Sequence, residues 1–593
     1  YGQFKEDNSN LVLQSLVSDK DLILRGNDGG SEITALTLDM SDAGAATFNS
    51  SVTVGANLDV SSGTIKLDGN FPTGTENVAL GNTALNAAES GASFNIAIGS
   101  EALLSLTTGD NNTGVGHDAL RGVTTSAANT GVGFQAGRAI TTGSRNTIMG
   151  GVAGDALTDA DFNVAMGYGA LSTDTLGNKS TAVGYLALNA QNFTSATDTF
   201  NVAVGTNAGL SVTTGRFNSF LGALSGDSVT TGDQNTAIGY QALSANETSN
   251  NNVAVGYQAL RLNTAANNVA VGVQAMDANT TGSQNTAVGR EALNANTEAQ
   301  SLVAVGFRAL KGNTTGNNNT ALGSQALRDN QTGTNNVAVG FQALENATSS
   351  FNVAVGSDAG QGDSGGFSGD ASVFVGYEAG EALTSGSNNV FIGYQAAKAA
   401  TTASNSVALG RGALSANTTG GQNTALGRSA LGSLDTASAN VAVGYLALNS
   451  ETKGEQSVAV GWGALQNAQQ SSSSNAFNTA VGSQAGRFMT SGVLNTIMGA
   501  LAGDALTTGN SNTALGYGTL SSDTTGKTAV AVGYSALLSQ NFTDATSNYN
   551  VAVGYNAGTA VTTGVQNTLL GSLAGANLTA VSYTHLRAHE TTN

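Results

Sequence analysis

The 593 residues contain no cysteine. This excludes disulfides, thiol nucleophiles and thiolate metal sites, and it leaves the redox compartment open. Proline occurs once, at Pro72, so every backbone N–H after it is free to join a hydrogen-bond ladder. Charged residues make up only 10% of the chain and acids dominate them, for a net charge of −19 and a pI near 4.4. Such a surface repels nucleic acid and anionic membranes. No apolar run approaches the roughly 18 residues that cross a bilayer, and no basic-then-apolar leader opens the chain, so no membrane insertion is expected.

Glycine, alanine, asparagine and small aliphatic residues are abundant, and they recur in order. The phrase Asn235-Thr236-Ala237-Ile238-Gly239-Tyr240-Gln241-Ala242-Leu243 returns as Asn252-Val253-Ala254-Val255-Gly256-Tyr257-Gln258-Ala259-Leu260. Its closing glycine can be followed 29 times from Gly81 to Gly571, most often at a spacing of 17 residues, as in Gly289, Gly306, Gly323 and Gly340. A fixed period this short defines a solenoid, which grows by adding coils rather than by enlarging one core. The expected fold is therefore all-β, a parallel β-solenoid or β-roll of about 29 coils spanning residues 73–576. At about 4.8 Å per coil the array would be on the order of 140 Å long.

Within a coil, the second and fourth residues (Val202 and Val204) leave a strand on one face and the third (Ala203) on the other. The larger residues assign the coil's own core to the face of positions two and four. The alanine face then needs a cover, from the coil's second layer or from another chain. The closing glycine permits a positive φ or a close backbone approach. The Ala-Leu segment after it suits one helical turn or a second short strand. The first-position asparagines, among them Asn201, Asn235, Asn252, Asn268, Asn285, Asn336 and Asn352, are expected to stack as a structural amide ladder.

A longer period is superimposed. Asn146-Thr147-Ile148-Met149-Gly150 reappears as Asn495-Thr496-Ile497-Met498-Gly499, and Gln191-Asn192-Phe193-Thr194 as Gln540-Asn541-Phe542-Thr543, both offset by 349 residues. This is an internal duplication that copies even the 21-residue coils.

Residues 1–72 read as a β-rich connector. Strand-like runs occur at Leu11–Leu13, Leu22–Leu24, Leu36–Leu38, Ala46–Phe48, Ser51–Val54 and Gly63–Leu67, with a turn at Asn27-Asp28-Gly29-Gly30. Residues 577–593 break the repeat at Ser582-Tyr583-Thr584-His585-Leu586-Arg587 and resemble a translated adapter; they are expected to be non-native. With Tyr1 at its start and no initiator Met, the chain reads as a fragment or a processed product, and its true C-terminus, with any trimerisation or tip domain on it, is expected to be missing.

No catalytic, metal or cofactor set emerges. His117 is the only histidine inside the repeats and sits where other coils have tyrosine. Gly131-Val132-Gly133-Phe134-Gln135-Ala136 belongs to the repeat and is no dinucleotide loop. Asp155, Asp159 and Asp161 miss calcium-loop spacing and read as solvated loop charges. The residue after the closing glycine is often aromatic: Tyr240, Tyr257, Phe307, Phe341, Tyr377, Tyr394, Tyr445 and Trp462. In register these form a stripe, which either shields the core or a chain interface, or offers ring faces to a host-surface glycan.

The Asn-Val-Ala-Val-Gly phrases at Asn201–Gly205, Asn252–Gly256 and Asn440–Gly444 are similar to the head repeats of YadA-like trimeric autotransporter adhesins. The period here is longer than theirs, so handedness and cross-section stay open. Long Asn-Thr-Ala-Val-Gly arrays with Tyr-Gln-Ala-Leu, and the connector phrase Leu38–Phe48, resemble bacteriophage tail fibres. The resemblance implies a non-enzymatic, homotrimeric fibre shaft in the virion. Its partners would be other tail or baseplate proteins and a glycan or protein receptor on the host. The alternatives are a bacterial surface adhesin and a polysaccharide-degrading spike, which would need a carboxylate pair in a groove.

Overall fold

The computed structural model describes residues 74–587 without a break and, before them, 2–7, 10–15, 20–28, 30–39 and 45–48. The chain divides into two compact units, 1–68 and 69–593.

In the first unit, β1 (Gly2–Asp7) and β2 (Asn10–Ser15) form an antiparallel pair. β3 (Leu22–Asp28), β4 (Ser31–Asp39) and β5 (Ala45–Phe48) form an antiparallel meander. The turn between β3 and β4 is closed by the Gly30 N–H, which donates to Asn27 Oδ1 at 2.8 Å, while Gly30 itself has φ +98°. The strand-like runs at 51–54 and 63–67 lie outside the described residues.

The second unit is a parallel β-solenoid. Thirty three-residue strands, from Val78–Leu80 to His585–Arg587, pair in chain order. The pairing is straight: Thr236 faces Val253, Ala237 faces Ala254 and Ile238 faces Val255. The last strand joins in register with Thr568–Leu570, although all three of its residues are exposed.

Hydrogen bonds between coils continue beyond the strands and round the whole circuit. Between the coils that begin at Asn235 and Asn252, Thr236 N–H donates to Asn252 O (2.8 Å), Gly256 to Ile238 (2.7 Å) and Gln258 to Tyr240 (2.9 Å). Leu243 then donates to Ala259 (3.0 Å) and Ala245 to Arg261 (2.9 Å). The Ala-Leu segment is thus neither the helical turn nor the second strand that the residues alone allow. Its backbone reaches the next coil because φ is positive at Gln241 (54°) and Leu243 (56°) but not at Ala242 between them. A left-handed non-glycine residue costs roughly 1–2 kcal/mol; here the inter-coil bonds and the burial of the leucine offset it. At the closing glycine no other residue fits. Gly239 has φ +129°, and a Cβ there would stand 2.5 Å from the carbonyl oxygen of Gly256.

The core faces the opposite way from the expectation. The third-position alanines (Ala237, Ala254, Ala270) are fully buried, whereas the second and fourth residues are half-buried or exposed. The cause is cross-section. A coil of 17 residues leaves room for an alanine on one wall and a leucine (Leu243, Leu260) on the other, so the larger strand residues must point out. At Gly131, the third residue of its coil, an added Cβ would lie 2.6 Å from Leu120 Cγ of the preceding coil.

Side-chain volume is exchanged across this thin core. Where the third residue becomes Phe220, Ile148, Phe374, Ile497 or Leu569, the ninth becomes Gly226, Gly154, Gly380, Gly503 or Gly575. The twelfth position then turns apolar, at Val229, Leu157, Leu383, Leu506 and Leu578. A Cβ on Gly226 would meet the Phe220 ring at 2.4 Å. Phe220→Ala is expected to cost about 3–5 kcal/mol, and Gly226→Leu is expected to destabilise by overpacking. The double variant restores the common Ala/Leu coil and should fall short of the sum of the two by more than about 1 kcal/mol in urea unfolding. Strict additivity contradicts the volume exchange.

Candidate interaction surfaces

The first-position asparagines stand in one buried column, but their amides bond mainly to backbone. Asn235 N–H donates to Asn218 Oδ1 (2.9 Å), Asn252 N–H to Asn235 Oδ1 (3.1 Å), Asn268 N–H to Asn252 Oδ1 (3.0 Å) and Asn285 N–H to Asn268 Oδ1 (3.0 Å). Asn336 and Asn352 continue the pattern, and Asn201 Oδ1 accepts from Asn218 N–H. Most of the Nδ2 groups close the loop of their own coil, as Asn235 Nδ2 does to Ser249 O and Asn285 Nδ2 to Ala299 O. Each such amide joins two coils and a loop, which accounts for its burial.

A second asparagine column, at position twelve, escaped the sequence reading. Asn279 Nδ2 donates to Asn263 Oδ1 (2.6 Å), Asn296 to Asn279 (2.6 Å), Asn313 to Asn296 (3.2 Å) and Asn330 to Asn313 (3.0 Å). This is the amide-to-amide ladder. The recurring phrases Ala278-Asn279-Thr280 and Ala295-Asn296-Thr297 were its signal.

The aromatic residues after the closing glycine are exposed and stack on one another. Tyr240 and Tyr257 lie 5.7 Å apart between ring centroids with planes 16° apart; Tyr377 and Tyr394 lie at 5.4 Å and 21°. Guanidinium groups cover other faces: Arg308 over Phe307 at 4.8 Å, Arg428 over Tyr445 at 5.7 Å and Arg487 over Trp462 at 5.7 Å. Phe341 is about half exposed. The faces a sugar would need are thus largely shared with neighbouring coils, and the ring edges are left outward. His117 belongs to the same column and stacks on Phe134 at 5.7 Å. A further exposed aromatic column, just before the first-position asparagine, includes Phe162, Phe200, Phe217 and Phe351. Phe200 and Phe217 stack at 5.7 Å.

Asp155, Asp159 and Asp161 do not converge on a metal. Asp159 accepts from Thr142 Oγ1 and Asp161 from Ser144 N–H, both on the preceding coil. Burial pushes the Asp155 carboxyl above its ordinary value. Among the described residues no group of three or more His, Asp or Glu side chains could hold a metal ion, and no helix is long and apolar enough to cross a membrane.

The 21-residue coils share a device that the duplication only partly revealed. Each follows a coil whose twelfth residue is a buried acid: Asp174, Glu451 or Asp523. Asp174 Oδ1 accepts from the Gly177 and Phe193 N–H groups (3.1 and 3.0 Å), and its Oδ2 from Gln191 Nε2 (2.6 Å). Asp523 repeats this with Gly526, Phe542 and Gln540. Glu451 Oε1 accepts from Gly454 and Gln470 N–H groups. The inserted loops are therefore pinned at a fixed corner of the coil by charge-assisted bonds.

Ion pairs collect at the corner after the stripe. Glu291, almost fully buried, accepts from Lys311 Nζ (2.7 Å) and Arg308 Nε (2.9 Å). The Lys311 bond, aided by Arg308, outweighs desolvation and lowers its pKa to about 2 from an ordinary 4.5. Glu378 is held at about 2 in the same way: burial raises it, and bonds from Lys398, Tyr377 and Gln395 prevail. A cleft beside the 20-residue coil is lined by Gln361, Asp363, Glu381, Thr384 and Thr401. Its Glu381 is paired with Lys398 at 3.2 Å.

The fold and these surfaces define the class: a tandem-repeat parallel β-solenoid. No protein-family model matches the chain, and neither a curated protein nor a solved structure matches it.

A depressed acid pKa gives stability that is complete above the unfolded value and lost as pH falls through the folded one. The wild-type chain should therefore exceed Glu291→Gln in urea midpoint at pH 6. The gap should narrow below about pH 4.5 and be largely gone at pH 2. A gap independent of pH contradicts the ion-pair assignment.

Proposed function

We propose that this chain is the shaft of a bacteriophage tail fibre, a non-enzymatic structural element of the virion that serves host attachment. The supporting observation is the uninterrupted ladder: successive coils from Val78 to Leu570 pair without a register shift. A solenoid of this kind supplies length, on the order of 140 Å at about 4.8 Å per coil, with each coil held by its neighbours. Its chemistry is that of a scaffold. The buried polar groups are largely spent on inter-coil bonds, and in the cleft lined by Asp363 and Glu381 the Glu381 carboxylate is tied to a lysine. The reading includes three copies about a common axis, other tail or baseplate proteins at the ends, and a host receptor met through the pinned loops or the aromatic columns.

The Asn-Val-Ala-Val-Gly phrases favour a second reading, the head of a trimeric adhesin on a bacterial surface. Antibodies raised against residues 74–576, applied to virus particles and cells from a culture carrying the gene, separate the two. Gold label on phage tails is expected. Label on cell envelopes alone overturns the fibre reading in favour of the adhesin, and release of new reducing ends from host capsule by the purified chain would point to the polysaccharide-degrading spike.

A further inference from the structure

In each of the 29 coils from Val78 to Leu570 the second and fourth residues point away from the core, and none of them is charged. The second is Val, Ile, Thr or Ser; the fourth is always Val, Ile, Leu or Met. Many are well exposed, Leu221 at 50%, Leu322 at 48% and Leu409 at 44% among them. The charged residues of the coils lie at other positions.

Coil length varies without touching this face. The short coil from Gly256 to Gly272 and the long ones from Gly184 to Gly205 and Gly533 to Gly554 take up the difference outside the strand. The ladder across them stays in register: Val253 faces Val269, Thr181 faces Val202 and Val530 faces Val551. The two outward columns stand about 7 Å apart, twice the rise per residue, and repeat every ~4.8 Å. A strip about 10 Å wide along the array offers on the order of 1,400 Å². Stable interfaces need roughly 800 Å² per partner, and the largest apolar patch on an ordinary monomer is about 300–600 Å².

We propose that this sheet face, and not the alanine face, is where copies of this chain meet, strand row against strand row. A second copy satisfies three requirements together: it is as long, it has the same repeat, and its matching face is free of charge. Exposed sheet faces of this kind pack at about 10 Å with their side chains interleaved. A membrane surface is a poorer occupant, because the chain's excess of acids would be brought against anionic lipid. Closed symmetry then buries the same two columns in every copy. The common direction of the copies rests on the fibre reading above; the choice of face does not.

The lack of cysteine makes the test direct. In the full chain, single variants Ile238→Cys and Leu322→Cys place thiols on the face, and Glu247→Cys places one on an exposed loop outside it. A short bismaleimide should link the two face variants into covalent oligomers at micromolar concentration and leave Glu247→Cys as single chains. Sedimentation of the wild type should give an oligomer, and a Val253→Lys/Val255→Lys double variant, with an unchanged circular dichroism spectrum, should be shifted to monomer. An oligomeric wild type that links through Glu247→Cys, or that stays assembled with both lysines present, overturns the face while sparing the fibre reading. A monomeric wild type overturns the face and the three-copy shaft together.

Discussion

Hydrogen bonds from each coil to the next, carried round the circuit rather than confined to the strands, are the constraint on which the rest depends. They explain why the corner residues Gln241 and Leu243 accept a left-handed backbone, since only that conformation turns the N–H of Leu243 to Ala259. They explain the closing glycine, where the next coil's carbonyl comes too near for a side chain. They also explain the first-position amide, which satisfies the N–H of the following coil and a carbonyl of its own loop at one buried point.

Once the backbone is stacked so closely, little room is left inside. The core is one alanine and one leucine thick, and it admits Phe220, Ile148 or Phe391 only where the facing ninth residue is reduced to glycine or, at Ala397, to alanine. Stability is then a sum over neighbouring coils, as in other solenoids, and long loops are tolerated where a buried carboxylate such as Asp174 or Asp523 gathers their N–H groups. Burial pushes Asp523 above its ordinary value even with Gln540 bonded to it, so this pin works against its own desolvation.

Period, parallel pairing and coil number were legible in the chain because Gly239, Gly256 and their equivalents mark each coil unmistakably. The direction of the core was not. Hydrophobicity ranks Val253 and Val255 above Ala254, and that ranking points the wrong way where Leu243 and Leu260 on the facing wall leave room only for alanine. The Ala-Leu segment resisted assignment for a related reason: Gln241-Ala242-Leu243 carries helix-forming residues, and nothing local reveals that its hydrogen bonds run to another coil. Of the candidate surfaces, the first-position asparagines and the aromatic stripe could be placed from spacing alone. The twelfth-position amide ladder could have been, had Asn263, Asn279 and Asn296 been aligned on their own period. The ring faces of Tyr240 and Tyr257 could not, because stacking depends on a side-chain direction that spacing does not encode.

The outward valines and leucines, once freed from the role of core, form an apolar face without a partner inside the coil, and the proposed shaft of several copies gives them one. That assembly presupposes a rigid stack. Amide hydrogen exchange tests it most directly, by comparing a strand position with the corner of the same coil. Leu243 and Ala245 are expected to exchange as slowly as Thr236, because all three donate to the next coil. Free-loop rates at Leu243 and Ala245 beside a protected Thr236 would contradict it.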